Sequence, residues 1–213
     1  MSCCHGEGCN AQFDMRQARH DLKRYHKEGP DPTTKALIDL IKGAGVQGAH
    51  LLDIGGGVGA VHHELLEAGV SAATHVDASE SCLEVARQEA CKRGHGDRVR
   101  FVKGDFVKVA SEVSDADIVT LDRVICCYGD MESLVRASTS KAKRLYGAVF
   151  PRDHWYLKPA FGSINLWKRL TGSRFRVFLH PVAAIDAAIR GQGFQQKSLL
   201  RTFVWNVALY ERT

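Results

Sequence analysis

An α/β fold with a mostly parallel sheet and helices on both faces is predicted by three features of this sequence. Short apolar runs alternate along the chain with stretches of helical periodicity. Four of these runs end on an aspartate, at Asp53, Asp77, Asp105 and Asp122, and the first is followed by the glycine-rich turn 55–59. Strands that alternate with helices are joined by right-handed crossovers, which make the strands parallel.

Composition limits the class of protein. The 213 residues are 45% apolar and 25% charged, which suits one globular domain, 1–213, with a sizeable core. No segment approaches the roughly 18 consecutive apolar residues of a membrane span, and residues 1–5 lack the apolar core of a signal peptide. The seven cysteines are not typical of a small secreted protein. We therefore expect a cytoplasmic enzyme or binding protein with reduced thiols.

The N-terminal part, residues 1–45, is predicted to be a tail followed by two helices. Residues 1–12 are polar and rich in cysteine and glycine, which indicates a mobile tail. Apolar residues at helical spacing from Phe13, interleaved with basic residues, predict an amphipathic helix that ends at Gly29–Pro30. Asp31 begins a second helix, which ends near Lys42.

The core, residues 46–213, begins with a buried strand that precedes the glycine turn. The later elements are, in order, a helix over 60–68, a strand over 73–77, a helix from Ser79 to near Gly94, strands over 98–105, 116–122 and 143–150, an insertion at about 151–180, a helix over 181–190 and two β runs within 195–210. The last two runs are too close together for a crossover connection, so we expect them to pair as a hairpin.

The turn 55–59 is expected to bind a ligand, because its four glycines allow positive φ and close approach to the bare backbone. Gly55, Gly57 and Ala60 match the dinucleotide-binding pattern, and Asp77 stands about twenty residues further on, where a ribose-binding acid is expected. Asp53 precedes the turn and would repel a pyrophosphate. It favours a ligand that carries an amine and a positive centre.

Four segments carry a resemblance to a known family: LLDIGGGVGA, THVDASESCLEVARQ, VRFVKGDF and ADIVTLDRVICCYGD. They resemble the motifs of class I S-adenosylmethionine-dependent methyltransferases, over nearly the whole chain. The resemblance implies S-adenosyl-L-methionine as the cofactor. It also implies a Rossmann-like sheet of seven strands, mostly parallel, with a C-terminal antiparallel hairpin strand. An NAD-type fold with a coincidental pattern of acids is the alternative.

The resemblance further implies which residues bind the cofactor. They are Tyr25, Asp53, Gly55, Gly57, Gly59, Asp77, Ala78, Ser79, Asp105, Phe106 and Asp122. Asp53 and the glycines would contact the methionine moiety, and Asp77 would hold the ribose hydroxyls. Asp105 with Phe106 would meet the adenine, and Asp122 would border the methyl group. Tyr25 or Phe13 would reach the ligand from the N-terminal helix, for which simple packing is the alternative role.

A looser resemblance leads to magnesium-protoporphyrin IX O-methyltransferases and their relatives. It is carried by VTLDRVICCYGD and by VFPRDHWYLKPAFGSINLWKRLTGSRFRVFLHP, which contains the insertion. Those enzymes carry a His–Tyr pair after the fourth strand, whereas this chain has Cys126–Cys127–Tyr128. A histidine that could serve as a base at that point is therefore missing.

The importance of a base depends on the acceptor. A carboxylate is already ionised at neutral pH, and a thiol needs only mild activation. A phenol or alcohol needs a general base, for which Tyr128, His154 and His180 are the candidates. Cys126 and Cys127 could line the acceptor pocket, bind a soft metalloid, or be small buried apolar residues. The alternatives to O-methylation are thus thiol or metalloid S-methylation, and a non-catalytic module that binds the cofactor or a tetrapyrrole.

The insertion carries the excess of positive charge. Residues 151–176 hold six Lys or Arg residues against Asp153, and five aromatic residues stand among them. This mixture favours a small-molecule acceptor that is anionic, flat and apolar. A solvated basic face is the competing interpretation. Nucleic acid is a third possibility, since the same composition could hold phosphate and stack bases, but no further basic module supports it.

No metal site is predicted. Cys3, Cys4, His5 and Cys9 lack the paired spacing of metal ligands. His62 and His63 are adjacent on a helix and are therefore expected to point in different directions. Motifs for a covalent nucleophile or a phosphate loop are also absent.

Overall fold

The computed structural model describes residues 12–213. The predicted mobile tail, except for Gln12, lies outside the described residues, and so do Cys3, Cys4, His5 and Cys9.

Eight α-helices and seven strands make up the described part of the chain. The helices are α1 (Met15–Glu28), α2 (Pro32–Gly43), α3 (Ala60–Glu67), α4 (Glu80–Lys92), α5 (Phe106–Val109), α6 (Met131–Ser140), α7 (Leu157–Leu170) and α8 (Val182–Arg190). The strands are β1 (His50–Ile54), β2 (Ala72–Asp77), β3 (Val99–Lys103), β4 (Ala116–Asp122), β5 (Ala142–Pro151), β6 (Phe194–Arg201) and β7 (Trp205–Arg212). Single 3-10 turns lie at Gly96–Arg98, Ala110–Glu112 and Ile125–Cys127.

The seven strands form one sheet in the order β3-β2-β1-β4-β5-β7-β6. The first five in sequence are parallel to one another, whereas β7 is antiparallel to both β5 and β6. The predicted α/β fold, the mostly parallel sheet of seven strands and the C-terminal hairpin are therefore confirmed. The strand order reverses between β1 and β4, the point at which open sheets of this type bind ligands.

Each face of the sheet is covered by helices. On one face α2 and α3 bury apolar side chains such as Ile41 and Leu65 against Leu51 of β1. On the other face α6 and α8 bury Leu134 and Ile185 in a second cluster. Because successive residues of a strand point to opposite faces, Asp53 lies on the same face as Leu51, below α3. A polar residue is thus directed into an apolar layer.

Local sequence signals account for the helix starts. Asp14, Asp31 and Ser79 cap α1, α2 and α4 by accepting hydrogen bonds from backbone N–H groups two or three residues ahead. The structure adds two long helices for which no prediction was made, α6 between β4 and β5 and α7 inside the insertion. Among residues 12–213, the helices are too short or too polar for any to cross a lipid bilayer.

Candidate functional site

A cavity of about 540 Å³ opens at the carboxyl ends of β1, β2, β3 and β4. Its floor includes Ile54, Asp77, Asp105 and Asp122, which end or directly follow these strands. The N-terminal segment closes one side, because Phe13 and the α1 residues Gln17 and Tyr25 also line the cavity. The volume lies within the roughly 300–1,000 Å³ of small-molecule sites.

The glycine loop 55–59 forms one wall. Gly55, Gly57 and Gly59 have φ angles of 64°, 57° and 93°, a left-handed conformation that favours glycine. A Cβ on Gly57 would meet no protein atom within 4 Å, and Gly57 lines the cavity. A side chain at this position would therefore extend into open space and not against the protein. This open cradle is what a ligand bound against bare backbone requires.

Asp77 joins the loop to the end of β2. Its Oδ2 accepts a hydrogen bond from the N–H of Gly57 at 3.0 Å, and its Oδ1 accepts one from the N–H of Ser79 at 2.8 Å. Burial raises the pKa of Asp77 to about 6, although these two hydrogen bonds act in the opposite direction. The side chain lines the cavity, at the position where the sequence predicted a ribose contact.

Most of the predicted cofactor residues come together in this cavity. Those that line it are Tyr25, Gly55, Gly57, Asp77, Ala78, Asp105, Phe106 and Asp122. Ser79 is fully buried instead, and its Oγ donates to the carbonyl oxygen of Phe13 at 2.6 Å. It anchors the N-terminal segment over the site. Tyr25 donates to Glu64 Oε1 at 3.1 Å, and burial raises its pKa above the ordinary value.

Asp53 and Gly59 lie behind the loop, outside the cavity lining. Asp53 is fully buried, and its Oδ1 accepts a hydrogen bond from Thr120 Oγ1 at 2.8 Å. Burial raises its pKa. Asp53 is predicted to contact the methionine moiety, but the backbone of the loop lies between its side chain and the cavity.

Tyr128 and Asp105 form a hydrogen-bonded pair on the opposite wall. The Tyr128 hydroxyl donates to Asp105 Oδ1 at 3.0 Å, and both residues are more than nine-tenths buried. Asp105 also caps α5 by accepting from the N–H of Val107 at 3.2 Å. The phenol predicted as a candidate base therefore already donates its proton to a carboxylate.

Cys126 and Cys127 line the cavity next to Tyr128. They belong to the 3-10 turn Ile125–Cys127, and their sulfur atoms lie 3.9 Å apart. The Cys126 thiol is buried and donates to the carbonyl oxygen of Arg123 at 3.2 Å. The two thiols are therefore close enough to bind one ligand atom together.

The other two predicted catalytic residues lie outside the cavity lining. His180 Nε2 is 2.9 Å from the carbonyl oxygen of Tyr128, so it supports the turn from behind. His154 is exposed and accepts from the Arg152 guanidinium at 2.6 Å. Among residues 12–213, no histidine lines the cavity.

A charged cluster beside Asp122 was not predicted from the sequence. Arg123 lines the cavity with a φ of 60°, the one non-glycine residue with positive φ in the described part of the chain. Its guanidinium lies 3.1 Å from Asp122 Oδ1 and 3.3 Å from Asp31 Oδ2. Thr34 donates to Asp122 as well, whose pKa is raised by burial. The sequence does place a charged residue, Arg123, directly after the aspartate that ends β4, and this was the signal from which the cluster could have been predicted.

The basic insertion stands mostly outside the cavity. Of residues 151–180, Val177 lines it, whereas Trp155 and Trp167 are 76% and 62% exposed. The charge of the cavity itself is negative, since five aspartates and two arginines line it. These residues are Asp21, Arg24, Asp31, Asp77, Asp105, Asp122 and Arg123. This balance favours a cationic ligand.

Comparison with solved structures supports the fold. Magnesium protoporphyrin IX methyltransferase from Synechocystis PCC 6803, with bound SAH, aligns with a TM-score of 0.66 and 18% identity, over 95% of this chain and 87% of that chain. An O-methyltransferase family protein from Burkholderia thailandensis aligns with a TM-score of 0.74 and 15% identity, over 95% and 62%. A putative sarcosine dimethylglycine methyltransferase from Galdieria sulphuraria aligns with a TM-score of 0.68 and 12% identity, over 85% of each chain.

A comparison with curated proteins gave no match. Among family models, residues 52–143 match one described as a methyltransferase domain. This stretch begins in β1 and ends in β5, so it includes the glycine loop, Asp77, Asp105 and the Cys126–Tyr128 turn. Residues 52–143 are therefore similar to a methyltransferase domain, the chain has the Rossmann-like fold of these neighbours, and the predicted resemblance of its motifs to the class I enzymes is confirmed.

Proposed function

We propose that this protein transfers a methyl group from S-adenosylmethionine to a small-molecule acceptor, and that the cavity holds both. The observation that carries the proposal is the pairing of Gly57 with Asp77. Bare backbone and a buried carboxylate face one cavity at the switch point of the sheet. A bound nucleoside needs bare backbone for close approach and a carboxylate to accept hydrogen bonds from its ribose hydroxyls.

The charge of the cavity suits the donor better than the product. S-adenosylmethionine, when bound, supplies an electrophilic methyl group on a positively charged sulfonium, whereas the demethylated product has lost that charge. Five aspartates against two arginines attract the cation, and the attraction is stronger in a partly buried site than in water. The same side chains would hold the product less tightly, which assists its release.

Each wall then has a role in positioning. The carboxylate of Asp77 can accept hydrogen bonds from ribose hydroxyls, as it does from two backbone N–H groups here. Phe106 and the carboxylate of Asp105 offer a flat apolar surface and an acceptor for an adenine amine. Phe13 and Tyr25, held over the site by α1, exclude water from the reacting atoms.

We propose further that the acceptor reacts through a carboxylate on an aromatic or tetrapyrrole framework. No histidine among the described residues lines the cavity, and Tyr128 donates to Asp105, so an acceptor that is already ionised fits best. Arg24 and Arg123 are the cavity guanidiniums that could orient it. Trp205 supplies aromatic surface in the lining.

Calorimetry with S-adenosylmethionine and S-adenosylhomocysteine tests the cofactor. We expect both to bind, and Asp77→Ala to weaken binding about 10- to 150-fold, because a charged hydrogen-bond acceptor contributes about 1.5–3 kcal/mol. Asp97→Ala is the matched control, since Asp97 is exposed at a distance from the site. Absence of binding by the folded wild-type chain would overturn the proposal.

A product screen tests the acceptor. The chain is incubated with S-adenosylmethionine labelled in the methyl group and with acidic porphyrins, phenolic acids or thiols, and labelled products are separated. Label in a base-labile ester of a porphyrin or phenolic acid is the expected result. Label in no product, with intact cofactor binding, would favour a non-catalytic binding module.

Methylation of a thiol or metalloid is the second candidate, supported by the two sulfur atoms 3.9 Å apart in the cavity wall. In that case arsenite or a thiol becomes labelled, and replacing Cys126 and Cys127 by Ser abolishes turnover while cofactor affinity is retained. Under the leading proposal the same double variant keeps most of its activity on a carboxylate acceptor.

A further inference from the structure

Behind the glycine loop lies a group of buried polar side chains that do not line the cavity. Asp53 of β1, His75 of β2 and His62 of α3 are each fully buried, with 0% exposure. Charged or titratable residues are seldom buried completely unless they are paired or bind a metal. The group therefore needs a physical explanation of its own.

The fold brings these three residues together from distant positions in the sequence. Asp53 and His75 are direct neighbours across the parallel pair β1–β2, and Thr120 is the neighbour of Asp53 on β4. All three lie in one row on the face covered by α3. His62, in the first turn of α3, reaches down onto this row.

The distances match those between ligands of a single small cation. The Nδ1 atoms of His62 and His75 are 3.0 Å apart, and His62 Nδ1 is 3.5 Å from Asp53 Oδ2. Two atoms that each lie about 2.0–2.1 Å from a tetrahedral Zn²⁺ are roughly 3.3 Å apart. One potential ligand atom from each residue lies within 4.8 Å of the other two.

Each of the three side chains has one polar atom without a hydrogen-bond partner among the described residues. Asp53 Oδ1 accepts from Thr120, but Asp53 Oδ2 has no hydrogen-bond partner among the described residues. The Nδ1 atoms of His62 and His75 can share one proton with each other at 3.0 Å, whereas their Nε2 atoms have no partner among the described residues. An unsatisfied buried polar atom destabilises the fold, and it does so more strongly when it carries charge. A cation between the rings and the carboxylate would neutralise the acid and use its remaining oxygen.

We propose that Asp53, His62 and His75 form a binding site for a divalent transition-metal ion of the Zn²⁺ type. The ligand atoms are Asp53 Oδ2 and the two Nδ1 atoms, and Thr120 orients the carboxylate by holding its other oxygen. Two imidazoles and one carboxylate are ligands that suit zinc, cobalt and iron rather than calcium or magnesium.

The role of the ion is to support the cofactor loop from below. A Cβ on Gly56 would come within 2.5 Å of Asp53 Oδ2 and 2.8 Å of His75 Nδ1, so the loop backbone packs directly on the proposed ligands. The opposite side of Gly56 lines the cavity. Because a layer of backbone separates the ligands from the cavity, the ion is structural and takes no part in methyl transfer.

Metal titration of the full chain tests the site without any assay of activity. Cys3, Cys4 and Cys9 are first replaced by Ser, so that N-terminal thiols cannot bind the probe. The protein is stripped with a chelator, checked for folding by circular dichroism, and titrated with Zn²⁺ against a chromophoric chelator. We expect one equivalent to bind. We expect His62→Gln and His75→Gln to lower the affinity at least about 100-fold, because each removes a direct ligand.

His63→Gln is the matched control. His63 is also fully buried on α3, but its Nδ1 pairs with His95 Nδ1 at 3.2 Å and it is outside the three-residue group. We expect this variant to bind Zn²⁺ within about threefold of the parent. Asp53→Asn is a second ligand variant of nearly unchanged shape. It keeps an oxygen for Thr120, so it remains informative if a glutamine variant does not fold.

Two results would overturn the proposal. One is binding of less than about 0.1 equivalent of Zn²⁺ and Co²⁺ by the folded parent, which would leave His62 and His75 sharing a proton only. The other is unchanged affinity in the ligand variants, or a thiolate charge-transfer band in the Co²⁺ spectrum. Either observation would place the ion elsewhere, because an Asp/His₂ site contains no sulfur.

Discussion

The two sides of the cavity are built in different ways. The proposed donor side consists of the loop 55–57, Asp77 and the pair Asp105–Phe106. It is formed by backbone at the ends of parallel strands, and the register of the sheet fixes it. The proposed acceptor side consists of residues 122–128 and Val177. It depends on local side-chain choices such as Arg123 with its φ of 60° and the Cys126–Cys127 pair.

This difference explains why the donor is easier to identify than the acceptor. A glycine loop with an acid at each strand end narrows the class of ligand, because backbone geometry leaves little freedom. The acceptor side can be altered by single side chains without disturbing the sheet. Variants on the donor side should therefore change cofactor affinity strongly, and variants on the acceptor side should change it little.

The largest effect is expected for Gly57→Val. The valine would be strained at a φ of 57° and would project into the space of the ligand. We expect the affinity for S-adenosylmethionine to fall more than about 100-fold by calorimetry, since a β-branched side chain blocks close approach to the backbone.

Gly94→Val separates strain from ligand contact. Gly94 has a similar φ of 70°, its Cβ would also meet open space, and it lies outside the cavity lining. Both variants should lose about 1–2 kcal/mol of stability from the left-handed backbone. Equal cofactor affinity in the two variants would contradict the placement of the donor beside Gly57.

Tyr128→Phe tests the contact between the two sides. It removes the hydrogen bond from the phenol to Asp105. We expect a loss of about 1–3 kcal/mol in the free energy of unfolding, because the acceptor is a buried carboxylate. Turnover of a carboxylate acceptor should fall less than tenfold in initial-rate measurements. A fall of about 10²–10⁴ would instead identify Tyr128 as a general base.

The fold could be predicted from the sequence wherever a single physical rule determines an element. The sheet, its parallel strands and the hairpin follow from the alternation of apolar runs and from chain length between them. Helix α7 was not predicted because its apolar residues, including Trp167 and Leu170, face solvent and not a core. Helix α6 was not predicted either, although Leu134 and Val135 bury its inner face.

Within the site, the residues that could not be predicted are those whose contacts join distant parts of the sequence. Thr34 meets Asp122 from a helix 88 positions away, and Arg123 pairs with Asp31. The row of Asp53 and His75 exists only once β1 and β2 pair in register. The adjacency of His62 and His63 in the sequence does not indicate the contacts of His62, which are with His75 and Asp53 on the sheet. Spacing along the chain carries no information about such pairs.

A smaller effect should appear at Arg123, where the backbone conformation and the charge can be separated. Both Arg123→Ala and Arg123→Gly remove the ion pairs with Asp31 and Asp122. Only glycine tolerates the φ of 60° without strain. We expect the glycine variant to be more stable than the alanine variant by about 1 kcal/mol in urea unfolding. Equal stabilities would show that the backbone relaxes when the guanidinium is removed.

The smallest effect is expected for Trp167→Ala on the insertion. The indole is 62% exposed on α7 and lies outside the cavity lining. We expect the free energy of unfolding to stay within about 0.5 kcal/mol of wild type, as for most surface substitutions, and cofactor affinity to stay within twofold. A porphyrin titration followed by fluorescence quenching then shows what the exposed ring does. Reduced porphyrin affinity with unchanged cofactor affinity would extend the acceptor side from Val177 onto this helix, and unchanged porphyrin affinity would confine it to the turn 122–128.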